Sequence, residues 1–226
     1  MIPETDALDD DVFLFVDTET TGLEAGRHGM IELAWTIGLT GRDGAERYEI
    51  DPWRDGHHPS WSPEAEAVHG VPLPAVRGAP HRWGPVGPAL DFLSVVSKPG
   101  TIVVGSNPRF DLAFIGAALP GGHTLRDVET IDLQDLFAAC YPEELPKSGR
   151  IGLEAMVRRL TGSPNHDQAH TAREDILDAQ AVFCHLRRAF IASFVGANGH
   201  LPLVADLMEA CELGRGIRQL TREGRL

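Results

Sequence analysis

Three cysteines, Cys140, Cys184 and Cys211, are too few, too scattered and odd in number for a disulfide framework or a zinc motif. They leave a reducing, cytoplasmic setting as the default expectation. No apolar run approaches the roughly 20 residues that span a bilayer, so no membrane contact is expected. The opening stretch, MIPETDALDDD, is acidic and holds no apolar segment, which argues against a secretory signal. Positive charge is also short: 20 Lys and Arg against 33 Asp and Glu give a net charge of −13. That balance argues against a protein that coats nucleic acid through a broad basic surface. It leaves room for local phosphate contacts, because the last twelve residues carry Arg215, Arg218, Arg222 and Arg225 against Glu223 alone. Internal repeats are missing, and the acidic start is the one low-complexity segment.

What is present suits a soluble globular chain, with 42% hydrophobic and 23% charged residues. The length of 226 residues fits one domain with an appendage. Buried-strand patterns cover 12–18, 30–39 and 45–51. The turn Gly41-Arg42-Asp43-Gly44 joins the last two, so an antiparallel meander is expected. Ser62, Pro63 and Gly70 bracket a short helix. A Pro- and Gly-rich loop is expected over 71–88, a helix over 89–97 and a buried strand over 101–105. Asn107 and Pro108 open a helix to about 118. A strand near 127–131 and helices near 132–141 and 151–161 follow. A long helix spans 171–195, GANGH breaks it, and a last helix covers 202–212. Early strands followed by strands alternating with helices make a mixed α/β sheet flanked by helices.

Against that frame the stretch VDTETTG, residues 16–22, is out of place. It follows an apolar run, yet brings two carboxylates, Asp17 and Glu19, with no Lys or Arg before Arg27. Strand side chains alternate, so both acids share one face, about 6–7 Å apart. Such a pair is either solvated at a strand end or holds a cation. Asp111 stands in the first turn of a helix leaving a buried strand, a usual place for sites in α/β sheets. A helix-dipole aspartate is the alternative reading there. In His170-Thr171-Ala172-Arg173-Glu174-Asp175, Thr171 and Glu174 have the spacing of a capping box. His170 and Asp175 then occupy the two positions that meet in a hydrophobic staple.

Together these elements resemble the DEDDh family, the DnaQ-like 3′–5′ exonucleases. D-x-E on a first strand, N-x-x-F-D after a later strand and H-x-x-x-x-D opening a late helix are its motifs. The resemblance covers about 11–190 and is nearest to the proofreading type in Val16-Asp17-Thr18-Glu19-Thr20-Thr21-Gly22-Leu23. Ile31-Glu32-Leu33-Ala34 and Ala67-Val68-His69-Gly70-Val71 match further landmarks in order. The resemblance implies a ribonuclease-H-like mixed sheet flanked by helices. It implies an acidic tail over 1–11, an exonuclease domain over 12–195, and a helix with an arginine-rich tail over 196–226. Asp17, Glu19, Asp111 and Asp175 would hold two metal ions, with His170 as general base. Thr18, Thr20, Leu23, His69 and Asn107 would lie near the terminal nucleotide. Ser106 departs from the His or Ala often found before the Asn, and Arg109 adds a basic side chain nearby. His166 lies nine residues before Asp175, not five, and is set aside as the base.

The donor chemistry agrees. Four carboxylates and no cysteine favour Mg²⁺ or Mn²⁺ over zinc. The expected activity is phosphodiester hydrolysis at nucleic-acid 3′ ends, with single-stranded DNA favoured and a polymerase or repair partner conceivable. Two alternatives stay open: an exoribonuclease acting on short RNA, and a non-catalytic subunit that binds a nucleic-acid end. The arginine-rich end from Arg215 onward is expected to be mobile and to add phosphate contacts.

Overall fold

The computed structural model of the chain describes residues 13–39, 44–166 and 170–226. The acidic tail and most of the turn at 41–44 fall outside these residues.

Among the described residues, five strands form one sheet in the order β3-β2-β1-β4-β5. The strands are β1 (Phe13–Thr20), β2 (Met30–Ile37), β3 (Glu46–Glu49), β4 (Ile102–Gly105) and β5 (Thr130–Asp132). The first three make the antiparallel meander, while β4 and β5 lie parallel to β1. Among the described residues, eight α-helices flank the sheet: α1 (Pro63–His69), α2 (Leu73–Val76), α3 (Val86–Val96), α4 (Pro108–Ala118), α5 (Leu133–Cys140), α6 (Leu153–Thr161), α7 (Ala172–Asn198) and α8 (Val204–Arg222).

Strand alternation divides the core. Phe13 and Phe15 face a cluster with α5, α6, α7 and α8, through Phe137, Met156, Phe183 and Leu207. Leu14 and Val16 face the other cluster, with Phe92 of α3 and Leu112 and Phe114 of α4. Phe183 sits against both Phe13 and Phe15, with ring centroids 4.8 and 5.5 Å away. Aromatic pairs of this kind add about 0.5–1.5 kcal/mol beyond their burial. They seat α7 on β1.

Three expectations need correction. The segment 71–88 is not all loop, since Leu73–Val76 is helical and α3 begins at Val86. The long helix runs three residues into the expected break, to Asn198, where Gly199 at φ 75° ends it. The last helix extends to Arg222, and its arginines do not form a loose end: Arg218 is buried. Close backbone contact explains that docking. A Cβ at Gly214 would lie 1.8 Å from the carbonyl oxygen of Asp135, so only glycine lets α8 cross α5 there. No described helix is long and apolar enough to cross a membrane.

Candidate active site

The site forms where β1 outruns its parallel neighbour. Pairing with β4 ends at Phe15↔Val104, while pairing with β2 continues to Thr20↔Met30. Residues 16–20 therefore lack a strand on the β4 side, and helix termini fill the space. Asp17 and Glu19 continue the face of Phe13 and Phe15, on which α7 packs. Asp175, the fourth residue of α7, comes down onto them. One carboxylate oxygen each from Asp17, Glu19 and Asp175 lies within 4.8 Å of the others.

Asp111 arrives from the opposite face. It is the fourth residue of α4, which packs on the side of Leu14 and Val16. Thr18 shares that side. Its N–H and its hydroxyl both donate to Asp111 Oδ1, at 2.9 and 2.7 Å. The sequence placed Thr18 among the substrate contacts, but its buried side chain fastens Asp111 to β1.

The strand-to-helix turn before Asp111 also differs from expectation. Asn107 occupies the cap position of α4, yet its side chain makes no capping hydrogen bond. Its backbone is left-handed, φ 65° and ψ 52°, a region that asparagine tolerates better than most residues. Its N–H is bound instead by Asp132 Oδ1 at 3.1 Å. At the α7 terminus the expected cap is present. Thr171 is the cap, and its hydroxyl accepts from the N–H of Glu174. His170 precedes it, half-buried and also left-handed at φ 48°. A non-glycine residue held there costs about 1–3 kcal/mol and persists where its surroundings demand it.

Charge defines the site. Loss of hydration raises the pKa of Asp17 well above the carboxylate range, and Asp111, Asp175, Glu19 and Glu32 push it further. Burial, then Asp175, Glu32 and Asp111, push Glu19 up to about 9. Burial raises Asp111 to about 7 against the opposing effect of Thr18's two hydrogen bonds. Among the described residues, the charged groups acting on Asp17 and Glu19 are acids. Crowded acids of this kind take up protons or a divalent cation. The oxygen-only donors fit Mg²⁺ or Mn²⁺, so the four carboxylates suit the group that the sequence implied.

Of the other predicted contacts, Thr20 is buried and its hydroxyl donates to the carbonyl of Gly22 at 2.7 Å. Leu23 is 82% exposed. His69 is buried, and its Nδ1 accepts from the N–H of Val71 at 3.0 Å. Its Nε2 then carries the proton and has no hydrogen-bond partner among the described residues. His166, set aside as a base, is bound elsewhere, 2.7 Å from Asp178.

One acid was missed as a site residue. Glu32 stands directly opposite Glu19 across β1 and β2, where like charges repel. Arg47 on β3 neutralises it, with Nε 2.7 Å from Glu32 Oε1. The signal lay in Ile31-Glu32-Leu33-Ala34, a lone acid in an apolar strand.

No protein-family model matches this chain, and no curated protein matches it in sequence. Solved structures do. The zinc-bound complex of E. coli exonuclease I with single-stranded DNA aligns at a TM-score of 0.60 and 24% identity. The E. coli exonuclease I complex with a dA16 oligonucleotide aligns at 0.60 and 23%, and a product-bound structure of exonuclease I at 0.54 and 23%. Each alignment covers 83% of this chain. It covers only 43%, 44% and 47% of the respective exonuclease I chain, so this chain spans less than half of that protein. The likeness establishes the fold: the ribonuclease-H-like mixed sheet flanked by helices that the motifs implied.

Proposed function

We propose that this chain is a metal-dependent 3′–5′ exonuclease acting on single-stranded DNA. The observation that carries the reading is the set of Asp17, Glu19 and Asp175 oxygens gathered within 4.8 Å, with Asp111 fastened beside them. Asp17, Glu19, Asp111 and Asp175 would hold two Mg²⁺ or Mn²⁺ ions. Bound there, such ions would lower the pKa of a water and offset charge on the leaving 3′ oxygen. His170 would act as general base, taking the proton of the attacking water. Its place before the cap keeps the ring outside α7 and next to the helix terminus that bears Asp175.

The terminal nucleotide sits over the turn after β1. Leu23 offers it an apolar surface, and the Thr20 hydroxyl braces that turn through Gly22. The unmet Nε2–H of His69 is a donor for it, and Asn107 spends no side-chain bond on its helix. The single-stranded DNA in the exonuclease I complexes supports this choice of substrate.

The test is digestion of single-stranded DNA labelled at either end, with Mg²⁺, Mn²⁺ or EDTA. The expected result is stepwise release of mononucleotides from 3′ ends, abolished by EDTA. Undiminished activity in EDTA, or digestion from 5′ ends alone, overturns the proposal.

A further inference from the structure

By sequence the arginines of α8 are expected to meet phosphate. Arg218 points inward instead. Its Nε donates to the carbonyl of Gly149 at 3.0 Å, and its Nη2 to Gln134 Oε1 at 3.2 Å. Its Nη1 bridges two acids, Asp135 Oδ1 and Asp132 Oδ2, the latter at 3.3 Å. Arg215 adds a second contact to Asp135 at 3.2 Å. A planar guanidinium can serve several acceptors at once, and a lysine ammonium cannot serve them in that geometry.

Asp132 makes this network matter for the site. It ends β5, in register with Gly105 at the end of β4. While Oδ2 faces Arg218, Oδ1 accepts from the N–H of Gln134 at 2.9 Å and from the N–H of Asn107 at 3.1 Å. Asn107 is the left-handed residue on which the chain turns into α4, and Asp111 follows one helical turn later. One carboxylate therefore links three parts: the start of α5, the turn that aims Asp111, and the buried arginine of the last helix.

We propose that Asp132 and Arg218 are positioning residues for Asp111, which makes α8 a working part of the metal site. Asp132 fixes the left-handed turn through Asn107. Arg218 holds Asp132 oriented beside the buried Asp135. Without that cation, two adjacent acids would repel, and Asp132 would turn away from the Asn107 N–H. The inference rests on the metal-site reading above.

Mn²⁺ binding to the full chain, followed by electron paramagnetic resonance, tests it without any nucleic acid. Partners behind metal ligands typically change metal affinity by about 10–100-fold, so Asp132→Ala is expected to weaken Mn²⁺ binding by at least about 10-fold. Asp132→Asn keeps an acceptor oxygen for both N–H groups but turns an NH2 towards Arg218 in place of Oδ2, so it should weaken binding less than Asp132→Ala does. Arg218→Lys should weaken binding to an extent between these two. Melting curves accompany each titration, since a role in stability alone lowers Tm and leaves the Mn²⁺ affinity of the folded protein untouched. Asp132→Ala binding Mn²⁺ as wild type does, or Asp132→Asn binding as weakly as Asp132→Ala, overturns the inference. Should Asp132→Ala fail to fold, Arg218→Lys decides, and wild-type affinity in it is the overturning result. A wild-type chain that binds no Mn²⁺ at all overturns the metal site itself, and this inference with it.

Discussion

Glu19→Gln removes one charge from the carboxylate cluster and almost no volume. In the metal-free protein, burial and the neighbouring acids push Glu19 from 4.5 up to about 9. At pH 7 the folded chain therefore keeps a proton that the unfolded chain has released. The sign follows from linkage: this stability is whole below pH 4.5 and is lost as the pH rises towards 9. At about 1.4 kcal/mol per pH unit, the interval from 4.5 to pH 7 costs the metal-free fold at most about 3.5 kcal/mol. In a chain of this size 1 kcal/mol moves Tm by about 2–4 °C, so the mutant should melt up to about 7–14 °C higher at pH 7. The gap should shrink towards pH 5 and widen towards pH 8. Mg²⁺ should reverse the ranking, because binding to the folded state stabilises it and the mutant has lost one ligand. Calorimetric melts of both proteins in EDTA and in Mg²⁺, between pH 5 and 8, provide the measurement. A gap in EDTA that is absent, or does not change with pH, refutes the claim that Glu19 is held in an uncompensated acidic cluster.

Three further outcomes follow from the same geometry. Asp111→Ala should abolish nuclease activity and also destabilise the fold by about 1–3 kcal/mol, because the Thr18 N–H and hydroxyl lose their acceptor, whereas Asp111→Asn should lose activity and keep most of the stability in denaturant titrations. His170→Ala should lower turnover by about 10²–10⁴-fold with little change in metal binding, while His166→Ala should lower stability by up to about 1 kcal/mol through its partner Asp178 and spare turnover, so the opposite ranking in single-turnover assays removes His170 as the base. Deleting 214–226 should lower Tm sharply, because Arg218 is buried against Asp132 and Asp135; a truncated chain with an unchanged melt and a loss of DNA affinity confined to low salt would restore the picture of a mobile, phosphate-binding tail.

Local rules in the sequence reach far into this site. Alternation alone puts Asp17 and Glu19 on one face, and the Thr171–Glu174 spacing alone starts α7 where it starts. Pro108 opens α4, which makes Asp111 its fourth residue. What the sequence hides is nonlocal. The inward turn of Arg218 depends on a glycine, Gly214, whose significance shows only once α5 lies across it. The left-handed state of Asn107 depends on an acceptor 25 residues downstream, Asp132. A cap rule assigns Asn107 a side-chain bond that the left-handed backbone does not make.

Thr18 shows most directly where local reading stops. In D-x-E the middle residue faces away from the two acids, so pattern alone gives it no part in their chemistry. It gains one because two helices approach β1 from opposite faces, each with an aspartate at its fourth position. Asp175 meets the odd-numbered face directly. Asp111 descends on the even-numbered face, and Thr18 stops it there with two hydrogen bonds. Four acids can converge only because β1 extends beyond the end of β4 pairing at Phe15. A strand paired on both sides to its end would shut Asp111 away from Asp17 and Glu19. The middle threonine and the unequal strand lengths are thus as necessary to the cluster as the acids themselves.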